Sequence, residues 1–151
     1  MTTWIAGTEE STIATDGVLE LTGVGANPGQ ALIQSTAAIN NSGVVRSSAG
    51  SGGERLFGVI LHNLAGGTVD IAYDATQGFT TTWTNDGTFN VANGATFTFT
   101  GNGAGPVFNQ SGGTIQTNAT GTFFQSSGFF NHTGGTTAGT KPIQLLSLIH
   151  I

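Results

Sequence analysis

One motif constrains this chain more than any other feature: an Asn, a short spacer, a Gly and a β-branched residue, repeated along most of its length. The copies read Asn41-Ser42-Gly43-Val44, Asn63-Leu64-Ala65-Gly66-Gly67-Thr68, Asn85-Asp86-Gly87-Thr88, Asn109-Gln110-Ser111-Gly112-Gly113-Thr114 and Asn131-His132-Thr133-Gly134-Gly135-Thr136. The Asn residues lie 22, 22, 24 and 22 positions apart, and Thr15-Asp16-Gly17-Val18 is a degenerate first copy. A fixed period of this length marks stacked units, none of which can bury its apolar face alone.

Aligning the copies on their last glycine (Gly17, Gly43, Gly67, Gly87, Gly113, Gly135) gives columns. The next position is β-branched throughout: Val18, Val44, Thr68, Thr88, Thr114, Thr136. The second is apolar down to the last copy: Leu19, Val45, Val69, Phe89, Ile115, then Thr137. The third is mainly polar (Glu20, Arg46, Asp70, Asn90, Gln116, Ala138), and the fourth holds Leu21, Ser47, Ile71, Val91, Thr117 and Gly139. Alternation is the period of a strand, so positions two and four are expected to face inward and one and three outward. Residues 95–100 alternate in the same way, and 56–61 form an apolar run leading into Asn63. Residues 31–39 are the one rival for a helix, short and followed by Asn-rich turn residues.

These columns predict an all-β parallel β-helix, or β-solenoid, with coils of about 22–24 residues, stacked at the ordinary strand spacing of roughly 4.8 Å; an arrangement of this kind resembles the pectin-lyase-like fold. An antiparallel β-sandwich is the alternative, but it does not require one residue type in one slot of every copy. Asn41, Asn63, Asn85, Asn109 and Asn131 are expected to form a structural ladder of side-chain amides. The six aligned glycines are expected to supply positive φ at the corners. Leu19, Val45, Val69, Phe89 and Ile115 are the expected core column. The chain divides into an irregular N-terminal coil or cap (1–37), repeat coils (38–145) and a tail (146–151). That tail, Leu146-Ser147-Leu148-Ile149-His150-Ile151, resembles a translation of the transposon-end adapter used in sequencing libraries, and native sequence is expected to stop near Leu145. Cutting a solenoid between coils exposes a strand edge, so residues 1–145 alone are expected to fray or aggregate at that end.

The motif, coil length and Thr/Asn/Gly style resemble the β-helical repeats of bacterial adhesins, autotransporter passengers and haemagglutinin-like surface proteins, over about residues 38–140. The resemblance implies a structural or adhesive, non-catalytic role outside the cell or on its surface, with host-surface or matrix glycans or proteins as partners. The alternatives are the stalk of a β-helical polysaccharide lyase, glycosidase or phage tailspike, and a carbohydrate- or ice-binding module.

Composition narrows the partners. Charged residues are 7% of the chain, net charge is −5, and Arg46, Arg55 and Lys141 are its only Lys and Arg residues. Three scattered cations cannot neutralise a run of phosphates, which argues against nucleic acid and against anionic membranes. Cysteine is absent, so there is neither a disulfide framework nor a thiolate metal site. Residues 1–4 show no signal-peptide pattern, and no apolar run is long enough for membrane insertion.

No catalytic, cofactor or metal residues are assigned. Glu20, Arg46 and Asp70 share an outward column in successive copies and read as a charge-paired surface. Asp74 and Asp86 fall in turns, where they could approach one another. His62 and His132 read as turn or surface residues, lacking a second ligand at metal spacing. The Asn-x-Ser/Thr triplets at Asn40, Asn109, Asn118 and Asn131 are common by chance in a chain with 25 Thr and 11 Asn. The threonine column lacks the second rank of an ice-binding face. Trp4, Tyr73 and Trp83 could stack on sugars but read first as packing.

Overall fold

A computed structural model describes residues 2–5, 10–23, 30–101, 105–146 and 148–150, with the strands at 2–5 and 148–150 described by their backbone alone. It is a parallel β-solenoid of about 5 turns, with no helix among the described residues.

Each coil passes through three strand stacks. The first holds β3 (Val18–Thr22), β5 (Val44–Ser48), β7 (Thr68–Ile71), β10 (Thr88–Val91), β13 (Thr114–Thr117) and β16 (Thr136–Gly139), in that order. The second holds β1 (Thr2–Ile5), the first part of β4 (Ala31–Asn41), the first part of β6 (Arg55–Asn63), β8 (Ala75–Gln77), β11 (Thr96–Phe99), β14 (Thr122–Gln125) and β17 (Gln144–Leu145). The third holds β2 (Ser11–Ile13), the second parts of β4 and β6, β9 (Thr82–Asn85), β12 (Val107–Gln110), β15 (Phe129–His132) and β18 (Leu148–His150).

In the early coils one long strand serves two stacks. β4 does so across a register shift between Gln34 and Ala38. β6 does so by pairing residues 55–57 with β8 and 61–63 with β9. Later coils split the same path into two short strands.

The first stack has the register that the glycine alignment predicts. Val18, Val44, Thr68, Thr88, Thr114 and Thr136 are successive partners, and the other columns follow. Coil length is more variable than the Asn spacing suggests. It runs from 20 residues (Thr68 to Thr88) to 26 (Val18 to Val44, and Thr88 to Thr114). The strands are fixed by stacking, so the connections absorb the difference.

Side chains alternate as a half-buried strand requires: Val69 and Ile71 in β7 are buried while Thr68 and Asp70 are only partly so. Val45, Val69, Phe89 and Ile115 are fully enclosed, and Leu19 at the end of their column is half-buried against the same core. That core is one continuous cluster drawing on all three stacks, and its upper part is aromatic: Trp83, Phe89, Phe97, Phe99, Phe108, Phe123 and Phe130. Burying one such side chain contributes roughly 1.5–3 kcal/mol.

Two expectations about the ends are revised or qualified. Residue 38 is no boundary: β4 runs straight through it, and the described parts of 1–37 are stacked strands rather than irregular. At the other end, the backbone of residues 148–150 pairs with residues 129–131. An open sheet edge accepts any strand-forming segment, so this pairing is independent of that segment's origin.

Candidate functional site

Asn41, Asn63 and Asn85 are buried, and their side-chain hydrogen bonds close completely. Asn41 Nδ2 donates to Asn63 Oδ1 at 2.7 Å and to the carbonyl of Thr68 at 3.0 Å. Asn63 Nδ2 donates to Asn85 Oδ1 at 2.7 Å and to the carbonyl of Thr88 at 3.1 Å. Asn85 Nδ2 donates to Gln110 Oε1 at 2.9 Å and to the carbonyl of Thr114 at 3.4 Å. Each amide thus joins the coil above at two points, along the corner where the third stack turns into the first. A buried amide lacking these partners would cost about 1–3 kcal/mol.

Asn109 and Asn131 are not in this ladder. The register sets Gln110 beside Asn85, and Asn109 beside Thr84 and Asn131. Asn131 Nδ2 donates to Asn109 Oδ1 at 2.8 Å, forming a separate, half-buried pair on the outer side of the sheet. A shift of one residue moves a side chain to the opposite face of a strand. Glutamine, one methylene longer, then fills the inner slot. The signal was present in the neighbouring aromatics: Trp83 and Phe108 stack inward, which places Asn85 and Gln110 inward two residues later.

The aligned glycines also divide. Gly113 and Gly135 have φ of 57° and 76°. Gly17, Gly43, Gly67 and Gly87 do not share this left-handed geometry, so the expected reason for glycine is corrected there. A Cβ on Gly43, Gly67 or Gly87 would come closer than 3.0 Å to a backbone carbonyl oxygen of the coil below. Close approach of stacked corners, not backbone handedness, excludes side chains at these three positions.

The charged column is partly paired. Arg46 Nε meets Asp70 Oδ2 at 2.9 Å, and Asn90 Nδ2 donates to Asp70 Oδ1 at 2.8 Å. Glu20 accepts the Ser48 hydroxyl. Asp74 and Asp86 are kept apart at different corners: Asp74 accepts the Thr96 amide at 2.7 Å, and Asp86 accepts the Ser111 hydroxyl at 2.8 Å. Both histidines lie in strands rather than turns. His62 stacks outward between Asn40 and Thr84, while His132 follows Gln110 in the inner column with its ring stacked on Phe130. Among the described residues no group of three or more His, Asp or Glu could hold a metal ion. Trp83 is core, its Nε1 donating to the Val59 carbonyl at 2.9 Å. Trp4's side chain lies outside what is described.

Sequence reasoning missed a surface feature. An open groove of about 470 Å³ lies at the corner between the first and second stacks, lined by Glu54, Tyr73, Asp74, Thr76, Thr96 and Thr98 among others. Beneath Tyr73 lies Arg55, a fully enclosed cation. Its guanidinium carbon is 4.2 Å from the ring centroid. Its Nε donates to the Ser48 carbonyl at 2.8 Å, and its Nη1 donates to the carbonyls of Gly52 and Gly53. The loop before β6 is therefore wound around the Arg55 head group, which fixes the neighbouring Glu54 at the groove. These lining residues come from three coils, and apart from the register partners Thr76 and Thr98 they lie in the second stack and the connections before it, outside the glycine-aligned columns. Chemically the groove offers carboxylate acceptors, hydroxyls and an aromatic ring, and no Lys, Arg or His lines it.

No protein family, curated protein or solved structure matches the chain.

Proposed function

We propose that this chain is a structural, adhesive β-solenoid displayed outside the cell or on its surface, working as a stiff support that presents its side faces to host or matrix glycans and proteins. The observation that carries this reading is the unbroken axial bonding: parallel strands in three stacks, reinforced by the Asn41–Asn63–Asn85–Gln110 ladder. Backbone bonds link successive coils, side-chain amides add a second clamp from Asn41 to Gln110, and nearest-neighbour coupling of this kind makes a rod. The resemblance to adhesin repeats supports the same reading.

The test is display of the chain on a non-adherent bacterium over glycan- and matrix-coated surfaces. Retention above that of the empty display scaffold is expected; retention equal to the scaffold overturns the adhesive reading. One observation favours a second reading, part of a carbohydrate-active protein: Glu54 and Asp74 line the same groove, and paired carboxylates serve glycoside hydrolysis. Against it, one oxygen of each is already engaged, Glu54 by Gln30 at 3.2 Å and Asp74 by the Thr96 amide. Release of reducing ends from a polysaccharide, lost in Glu54→Gln and Asp74→Asn, would replace the adhesive reading with this one.

A further inference from the structure

We infer that the groove at Glu54, Tyr73, Asp74, Thr76 and Thr98 binds a neutral saccharide. This deepens the adhesive reading by naming a ligand class and a place for it. The starting point is Tyr73, 40% exposed and the only aromatic among the large hydrophobic residues exposed in the described chain. An exposed ring is usually mobile, but this one lies against a guanidinium that three backbone carbonyls hold in place. Cation–π attraction, strongest where the cation is desolvated as Arg55 is, fixes the ring as a platform.

The polar groups around it are preset in the same way. Thr76 and Thr98 are register partners on successive coils, so their outward positions repeat at about the strand spacing of 4.8 Å. Glu54 spends Oε2 on Gln30, and Asp74 spends Oδ1 on the Thr96 amide. Each carboxylate keeps its other oxygen for a ligand hydroxyl. A ligand that satisfies this set must bring hydroxyl donors to two carboxylates, exchange hydrogen bonds with threonines and lay an apolar C–H face on a ring. A sugar ring does all three. A sugar acid would meet two carboxylates and no cation along the groove, in a chain of net charge −5. The volume is within the roughly 300–1,000 Å³ of small-ligand sites.

The experiment is saturation-transfer NMR and calorimetry on the full chain with maltohexaose, cellohexaose and mannohexaose as neutral probes and hexagalacturonate as the anionic one. At least one neutral probe is expected to bind, and hexagalacturonate is expected not to. Tyr73→Ala should weaken that binding about tenfold or more, while Tyr73→Phe keeps it, since stacking rather than the hydroxyl is used. Thr98→Val, a shape-conserving change on the surface, should weaken it about threefold to tenfold. If Tyr73→Ala does not fold, Thr98→Val and Glu54→Gln decide. The inference is overturned if no neutral probe binds, if hexagalacturonate is preferred, or if folded Tyr73→Ala, Thr98→Val and Glu54→Gln bind as tightly as the parent. Adhesion of the displayed chain to deglycosylated matrix protein without saccharide binding would sink this inference alone. Saccharide binding without adhesion would sink the adhesive reading alone.

Discussion

The amide corner and the aromatic core hold the same coils together by opposite rules. At the corner, Asn41, Asn63 and Asn85 occupy one slot with one geometry, and each amide hydrogen has an acceptor on the next coil. In the core, equivalent slots accept whatever is apolar: Val45, Val69, Phe89 and Ile115 stack in one column, Leu61, Trp83 and Phe108 in another. Directional bonds demand an amide, Asn or Gln, whereas burial demands volume. Rings of different size fit because their neighbours compensate. Phe97 meets Trp83, Phe89, Phe99 and Phe123 at centroid distances of 4.9 to 6.1 Å.

The largest effect is therefore expected in the core. Phe97→Ala should cost about 3–5 kcal/mol, because it removes a fully buried ring that four others pack against. Phe97→Leu should cost much less, about 1.5 kcal/mol. Urea unfolding midpoints measure both. If the two variants were equally damaging, the core would be demanding identity after all, and the contrast with the corner would fail.

Next in size is the ladder. Asn63→Ala should cost about 2–3 kcal/mol, since it leaves Asn41 Nδ2 and Asn85 Oδ1 buried and each short of a partner. Asn63→Leu should not recover that loss, although it restores apolar volume. A leucine variant as stable as the parent would show that the corner follows the rule of the core.

A paired comparison separates inner from outer amides. Gln110→Ala should cost about 1–2 kcal/mol, because Asn85 Nδ2 loses the nearer of its two acceptors on the coil above and keeps only the Thr114 carbonyl at 3.4 Å. Asn109→Ala, one residue earlier but on the outer side, should stay within about 0.5–1 kcal/mol. Thermal melts of the two variants side by side decide it, and the reverse order would restore Asn109 to the ladder.

That last pair also marks where the sequence stops being legible. In the first stack every strand starts directly after an aligned glycine, so the register could be read from Val18 to Thr136 and the core column with it. The second and third stacks are reached through connections whose lengths differ from coil to coil. Residues 78–81 join β8 to β9, whereas residues 100–106 join β11 to β12. Counting from Asn85 to Asn109 therefore landed one residue short of the inner slot. The Arg46–Asp70 pair was legible because both residues sit in the first stack. The groove was not, because Glu54 follows a loop wound on Arg55 and Tyr73 and Asp74 lie in a turn. Neither segment recurs in the other coils.

The smallest effect belongs to the outer charged column. Arg46 and Asp70 are close, but their side chains are 42% and 19% exposed. The attraction is therefore screened by water, and Asp70 retains its bond from Asn90 when Arg46 is removed. Arg46→Ala is expected to cost at most about 1 kcal/mol. Most of that loss should vanish at about 1 M salt, where screening acts over roughly 3 Å. Urea midpoints of parent and variant at low and high salt supply the measurement. A loss well above that size, unchanged by salt, would mean that the outer column bears on the stack as the inner ones do. The division between directional corner, tolerant core and dispensable surface would then have to be redrawn around Asp70.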